Sequence, residues 1–223
     1  MHCPLSNLDH VLLAFDTATP FVTVALHDGE DVVAERRSEQ RMKHGEQLAP
    51  QIAAVLADAG IVRQDLTAIA VGTGPGPFTG LRVGLVTART LGYVLEIPVY
   101  GVCTLDVVAL EAALGADPVG RDFVVATDAR RKEVYVASYD DQGRRQDGPD
   151  VLRPADAATD LPVAGEGTAL YPGAFPVAQS PLLPTAGWLA RAVAEELAEL
   201  HDPEPLYLRR PDAVALGVPK RVS

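Results

Sequence analysis

A glycine-rich segment is the part of the sequence best suited to bind an anion. It runs from Gly72 to Gly80, contains four glycines in nine residues, and lies between a predicted buried strand and a predicted helix. Backbone amides of such a loop can surround a phosphate. No lysine lies near it, and Pro77 stands where a dinucleotide fingerprint needs glycine. Anion binding and a tight strand-to-helix turn are therefore equal alternatives from the spacing alone.

Asp16 ends the first predicted strand and could hold a magnesium-bound phosphate beside that loop. A single carboxylate does not establish a metal site, however. An aspartate in this position also caps a turn by accepting hydrogen bonds from the amides around Thr17 to Thr19. Without further ligands, the capping role is the better-supported interpretation.

Side chains typical of catalysis are few in the rest of the chain. The five histidines include no HExxH or HxxxH pair, which excludes a zinc site on one helix, and no GxSxG nucleophile motif occurs. The two cysteines, Cys3 and Cys103, are too few for a disulfide framework or a cysteine-based zinc site, and Cys103 is expected to be a small buried side chain. These features favour a protein that is not itself an enzyme.

The first half of the sequence predicts the order βββαβαβ, because short apolar runs alternate with segments of helical periodicity. This order is typical of a mixed sheet with helices on its faces. The predicted elements are strands over 11–16, 21–26, 32–36, 68–71 and 98–102 and helices over about 45–59 and 78–95.

The second half predicts a helix over 105–114, a hairpin formed by strands 123–128 and 133–139, a short strand over 163–167 and a helix over about 185–200. Residues 140–162 are rich in Asp, Gly, Arg and Pro, which predicts surface loops.

The helix over 78–95 indicates an interaction surface. Gly80, Gly84, Ala88 and Gly92 are four residues apart and lie along one face, where another backbone can approach closely. Most of the remaining positions are also apolar, so we expect this helix to be buried on more than one side. The second neighbour is either the 45–59 helix of the same chain or a second polypeptide, and the two alternatives have about equal weight.

Charge and composition limit the classes of partner. The 223 residues include 19 Lys and Arg against 30 Asp and Glu, a net charge of −11, which argues against autonomous binding of tRNA or DNA. Any nucleic-acid role should therefore run through a partner. Residues 1–10 lack the features of a signal peptide and no apolar run is long enough to span a membrane, so we expect a cytoplasmic protein without a membrane partner.

Several motifs of this sequence resemble those of the TsaB (YeaZ) family, and the resemblance extends over nearly the whole chain. The most specific motif is GPGxFTGLRxG, found at residues 74–84, whereas DTAT at residues 16–19 would be weak alone. The matching segments are Leu13–Thr19, Gly72–Gly84, Gly101-Val102, Asp128–Arg130 and Pro205–Arg209.

The resemblance implies an α/β, actin-like (ribonuclease-H-like) fold of two lobes, each a mixed β-sheet flanked by helices. The first lobe would cover residues 1–103 and contain the dimerisation helices, and the second would cover 104–223, with a C-terminal tail that could pack back on the first lobe.

The resemblance also implies a non-catalytic partner of TsaD, the ATP-dependent metalloenzyme that forms N6-threonylcarbamoyladenosine in tRNA. In that family the chain dimerises with itself or with TsaD through the two helices, and the ATPase TsaE joins them. tRNA is then reached only through the complex. The predicted contact residues, on both helices, are Leu48, Ile52, Val55, Gly84, Ala88, Arg89, Gly92 and Tyr93.

The same family comparison implies that no cofactor is required. Two histidines that hold the metal of TsaD align with Thr104 and Val108, neither of which can bind a metal. Asp16, Gly74 and Gly76 align with nucleotide-binding positions of catalytic relatives, so residual ATP or ADP binding is the weaker expectation. The alternative function is an ATP-dependent kinase or ATPase of the same fold, using Asp16 and the glycine loop, and a metallopeptidase is opposed by the missing histidine pair.

Overall fold

The computed structural model describes residues 10–208, which form two five-stranded sheets and five α-helices. Residues 1–9 and 209–223, which include Cys3 and the end of the predicted C-terminal tail, lie outside the described residues. No helix within the described residues is long and apolar enough to cross a membrane.

The first sheet has the strand order β3-β2-β1-β4-β5, in which β2 is antiparallel to both neighbours and the other strands are parallel to one another. β1 lies at its centre, where Leu13 pairs with Leu26 and Ile69. The strands are β1 (Leu12–Asp16), β2 (Thr23–His27), β3 (Val32–Arg37), β4 (Ala68–Gly72) and β5 (Val99–Val102).

Helices α1 (His44–Ala59) and α2 (Phe78–Leu95) cover one face of this sheet, which confirms the two helices predicted from periodicity. α1 ends at Gly60, whose left-handed backbone (φ +68°) forms the C-terminal cap. The apolar faces of both helices and the side chains of β1, β2 and β4 form one core cluster.

The second sheet repeats the topology of the first. Its order is β10-β9-β6-β7-β8, with β7 antiparallel to its neighbours, so β6 to β10 correspond in order and direction to β1 to β5. The strands are β6 (Phe123–Asp128), β7 (Val134–Tyr139), β8 (Arg145–Leu152), β9 (Val163–Ala164) and β10 (Ala178–Gln179). The predicted actin-like α/β fold class is thereby confirmed.

The prediction of surface loops throughout 140–162 is wrong, because β8 occupies Arg145–Leu152. β8 is the edge strand of the second sheet and is mostly exposed, with two irregularities in its pairing to β7. A polar edge strand containing Gly148 and Pro149 lacks the apolar alternation by which strands are recognised in a sequence.

Helices α3 (Thr104–Leu114) and α5 (Ala186–Ala194) fill the space between the two sheets, while α4 (Gly167–Leu170) is a single turn. α3 packs on the second sheet and α5 on the first, and the two helices contact each other. The predicted helix over 185–200 is therefore shorter than expected, and it ends before Glu196, which adopts a left-handed conformation (φ +54°).

Residues 201–208 run back along the first sheet. His201 pairs with Gly101 of β5 in an antiparallel bridge, and the Leu206 amide donates a hydrogen bond of 2.9 Å to the Thr73 carbonyl. The described part of the tail thus reaches the glycine-rich loop that precedes α2.

Candidate functional site

Asp16 is buried at the cleft between the two sheets, and both of its carboxylate oxygens have partners within the chain. One oxygen accepts a 2.5 Å hydrogen bond from the Ala18 amide, and the other accepts a 2.7 Å bond from the Thr104 hydroxyl. Thr104 in turn accepts a hydrogen bond from the Gly74 amide. Asp16 therefore ties β1 to the start of α3 and to the glycine loop, and the turn-capping interpretation is confirmed.

The glycines of the loop permit close packing of the chain on itself. A Cβ atom at Gly72 would meet the carboxylate of Asp16, and a Cβ atom at Gly76 would lie 2.3 Å from the Ala18 carbonyl oxygen. Gly74 has a left-handed backbone (φ +91°), a conformation that disfavours other residues. The loop is filled by these contacts, which favours the tight-turn interpretation over anion binding.

A small cavity with a volume of about 20 Å³ lies in the cleft. This volume suits one water molecule, whereas pockets for ligands of nucleotide size occupy several hundred Å³. The cavity is lined by residues of both halves of the chain, namely Ala18, Thr19, Pro20, Pro75, Pro77, Thr104, Thr127, Asp128, Arg130 and Glu166.

Burial raises the pKa of Asp16, although the hydrogen bonds from Ala18 and Thr104 act in the opposite direction. The folded state therefore takes up a proton at higher pH than the unfolded state does. The destabilising contribution of the buried charge is therefore fully present at pH 7, and it is lost as the pH falls through the folded pKa toward the ordinary value of 3.8.

We expect Asp16→Asn to be most favourable relative to the wild-type chain at pH 7, and this relative stability should diminish as the pH falls through the folded pKa of Asp16 toward 3.8. Asp16→Ala should cost about 2 kcal/mol, because it leaves the Ala18 amide and the Thr104 hydroxyl without their acceptor. Urea unfolding of the three proteins over a series of pH values from neutral downward measures these differences. Parallel pH profiles for wild type and Asp16→Asn would contradict the assignment.

The positions aligned with metal-binding histidines are internal. Thr104 is hydrogen-bonded to Asp16, and Val108 lies in the core between α3 and the second sheet. Within residues 10–208, no group of three or more His, Cys, Asp or Glu side chains is placed to hold a metal ion. Cys103 is buried as expected, and burial raises its pKa to about 12, so the thiol stays protonated at neutral pH.

The small-residue row of α2 faces the chain's own sheet. A Cβ atom at Gly84 would lie 2.4 Å from the Thr17 hydroxyl, and one at Gly92 would lie 2.3 Å from the Val99 side chain. Gly80 and Ala88 are buried in the same way. The prediction that this row could contact a second polypeptide therefore needs correction, because the row already packs against the first sheet of the same chain.

The predicted contact residues of α1 need the same correction. Leu48, Ile52 and Val55 are buried in the core that α1 forms with the first sheet. Arg89 and Tyr93 alone among the eight predicted contact residues are exposed. A partner that binds these helices must therefore use other side chains.

The outward side of α2 is unusually apolar for an exposed surface. Tyr93 is 86% exposed, Val94 68%, Val86 60% and Phe78 50%, and the charged residues between them are Arg82 and Arg89. A solvent-facing helix side normally carries a polar stripe, so large apolar side chains in this arrangement make this side of α2 a candidate contact surface.

The outward side of α1 is flat and weakly charged. Gly45, Ala49, Ala53 and Ala57 are exposed and four residues apart, and Glu46 and Asp58 are the only charged residues of this helix. α1 and α2 contact each other, so their outward sides form one surface. We call this surface, formed by the exposed residues of 44–59 and 78–95, the helix-pair face.

An aromatic stack extends the helix-pair face at the start of α2. The rings of Phe78 and Tyr207 are stacked with centroids 5.4 Å apart, and the Arg82 guanidinium lies 4.8 Å from the Phe78 ring centroid. The aromatic stack and the cation–π contact hold the Phe78, Tyr207 and Arg82 side chains in place. The C-terminal segment thus contributes a residue to the edge of the surface.

Arg89 and Tyr93 were predicted as contact residues, whereas Phe78, Arg82, Val86 and Val94 were not, because the row of small residues indicated the opposite side of the helix. A detectable signal was present, since Phe78, Arg82, Val86, Arg89 and Tyr93 follow the helical repeat. Large apolar and arginine side chains at that repeat are the composition expected of an interface.

Comparison with known proteins adds independent information. Residues 31–171, more than half of the chain, match the family model described as TsaD, tRNA N6-adenosine threonylcarbamoyltransferase. An uncharacterized protein of Mycobacterium tuberculosis is 46% identical over 215 residues, which cover 93% of this chain and 95% of the relative. The solved structure titled YeaZ from Pseudomonas aeruginosa is 31% identical, with a TM-score of 0.72, and the match covers 89% of this chain and 100% of that one. The chain belongs to the TsaB (YeaZ) family.

Other matches agree with this family. TsaB of Escherichia coli, a tRNA threonylcarbamoyladenosine biosynthesis protein, is 38% identical over 130 residues, which cover 57% of this chain and 54% of the relative. A second Pseudomonas aeruginosa structure, described as similar to peptidase YEAZ, has a TM-score of 0.76 at 30% identity. The TsaB resemblance predicted from the motifs is thus confirmed.

Proposed function

We propose that this TsaB-family chain is a non-catalytic subunit that supports TsaD in forming N6-threonylcarbamoyladenosine in tRNA. The names of its TsaB relatives support the biosynthetic role, and the exposed helix-pair face is the observation that supports a binding role. TsaD is the proposed occupant of that face because the matching family model is itself that of TsaD, and proteins of one fold can pair through equivalent helices.

The proposed contact is carried by Val86 and Tyr93 on α2, with the small side chains of α1 allowing a partner helix to approach closely. Burial of aromatic and branched side chains at the centre of such an interface supplies most of the binding energy. Arg89, between them, can pair with an acidic group of the partner. A self-dimer would use the same face, and the two assemblies would then compete for it.

The absence of catalysis is also part of the proposal. The cleft cavity of about 20 Å³ is too small for a nucleotide, and Asp16 has internal partners for both oxygens. These contacts support a subunit that works without a cofactor and oppose the kinase or ATPase alternative. TsaE would join the pair, tRNA would be reached through the complex, and the assembly would work in the cytoplasm.

Reconstitution of the modification tests this function. TsaD, TsaE, ATP, threonine, bicarbonate and unmodified tRNA are combined with and without the chain, together with TsaC, which supplies threonylcarbamoyl-adenylate in that family. Threonylcarbamoyladenosine is quantified by mass spectrometry. We expect formation to fall at least 100-fold when the chain is omitted. Full formation without it would contradict the proposal, and ATP turnover by the isolated chain would favour the kinase or ATPase alternative.

A further inference from the structure

Positive charge is concentrated in two short segments of this acidic chain. Residues 36–43 and 128–133 contain seven of the 19 Lys and Arg residues and only three acidic residues. The rest of the chain has 12 basic residues against 27 acidic ones. The two segments belong to different sheets, since the first joins β3 to α1 and the second is the hairpin between β6 and β7.

The fold brings these segments together at the mouth of the cleft. The guanidinium group of Arg37 lies 4.2 Å from the Phe21 ring centroid and that of Arg41 lies 5.5 Å from it. Across the cleft, Arg130 places a guanidinium nitrogen 3.6 Å from the sulfur of Met42. We call these three arginines, together with Lys132 of the hairpin that carries Arg130, the cationic rim.

The side chains of the cationic rim are exposed and largely unpaired. Within residues 10–208, Arg37, Arg41 and Lys132 make no ion pair within 4.0 Å, and Arg130 pairs with Asp128 at 3.3 Å. Glu166 is close enough to interact electrostatically with three rim arginines. Burial raises the pKa of Glu166, and the positive charges of Arg41, Arg130 and Arg37 act in the opposite direction. Glu166 and the three acidic residues of the two segments give four carboxylates against seven Lys and Arg side chains, so the rim remains a cationic surface.

The hairpin that carries half of the rim has an unfavourable backbone. Arg130, Arg131 and Lys132 have φ values of 62°, 55° and 62°, three successive left-handed conformations in residues that have a Cβ atom. Glycine or asparagine would adopt this turn at lower cost. A strained turn that carries three cations marks this hairpin as a candidate functional site, because strain of this kind concentrates at functional sites.

We propose that the cationic rim binds the phosphate backbone of the RNA on which the complex acts. This inference rests on the proposed function, since the net charge of −11 opposes RNA binding by the chain alone. Arginine forks suit phosphate oxygens, and guanidinium planes held over an aromatic ring also suit unstacked RNA bases. Arg41 is two residues before Lys43, which directly precedes α1, so RNA held by a partner on the helix-pair face can continue onto the rim.

The test measures RNA binding by the complex with TsaD. Fluorescence anisotropy gives the Kd of unmodified tRNA at several salt concentrations for wild type and for the triple variant Arg37→Gln, Arg41→Gln, Arg130→Gln. The matched control is Arg121→Gln, Arg144→Gln, Arg153→Gln, which removes the same charge from exposed positions of the second half of the chain. Binding of each variant to TsaD is measured separately.

We expect the rim variant to bind tRNA at least tenfold more weakly at low salt, with a slope of log K against log salt shallower by about two, since each phosphate contact contributes about 0.7 to 0.9. The control should match wild type. An unchanged slope in a complex that forms normally would overturn the rim assignment alone. Loss of TsaD binding by the rim variant would also overturn the RNA assignment, because it would show that the rim binds an acidic surface of the protein partner. Failure of the wild-type chain to bind TsaD would overturn the proposed function as well.

Discussion

Val86→Asp and Tyr93→Asp are each expected to weaken binding to TsaD at least 100-fold while the chain itself stays folded. Both side chains project from α2 into solvent, so an aspartate there is hydrated in the isolated chain. In the proposed complex the same carboxylate would be buried against an apolar partner without a counter-charge. Such burial costs about 3–5 kcal/mol, which corresponds to two or more orders of magnitude in Kd.

Isothermal titration calorimetry with TsaD measures this loss, and circular dichroism of the free variants checks the fold. Leu170→Asp is the matched control, because Leu170 is 49% exposed but lies in α4 on the second sheet. It should bind TsaD as wild type does. Wild-type affinity in both α2 variants would remove the helix-pair face from the proposed interface.

Ala88→Glu and Arg89→Glu are expected to have opposite consequences although the two residues are adjacent in α2. Ala88 is fully buried against the first sheet, so a glutamate there must either ionise in the core or displace the helix. We expect a loss of about 3–5 kcal/mol in the free energy of unfolding, enough to unfold a domain of ordinary stability.

Arg89 is exposed, and Arg89→Glu should leave the free energy of unfolding within about 0.5 kcal/mol of wild type. Its effect should appear only as weaker binding to TsaD. Thermal and urea unfolding of the isolated chain distinguish the two variants. A stable Ala88→Glu protein would show that the small-residue row is not packed as described.

The fold was largely predictable from the sequence because its main elements have strong periodic patterns. The apolar runs of the first sheet and the helical repeats of α1 and α2 each bury one consistent set of side chains. β8 was missed for the converse reason, since an exposed edge strand needs no apolar alternation. The end of α5 was placed too late, because the repeat continues past the last residue that the helix includes.

The candidate interface was only partly predictable, because both sides of α2 carry residues suited to close contact. Gly84 and Ala88 fit the surface of the sheet, while Val86 and Tyr93 fit a partner, and composition alone does not say which side faces inward. Which side of α2 faces the sheet depends on the direction in which the chain enters the helix from the glycine loop. Likewise, the cationic rim unites segments 36–43 and 128–133 only through the packing of the two halves.

Hydrogen exchange of the chain with and without TsaD tests most directly the claim that this protein contributes a binding surface and not a reaction centre. We predict that protection on complex formation concentrates in peptides from α1 and α2, at residues 44–59 and 78–95, together with the tail segment that contains Tyr207. The peptides of β8 and α4 should exchange as in the free chain. Protection confined to the second sheet, with α1 and α2 unchanged, would contradict this account.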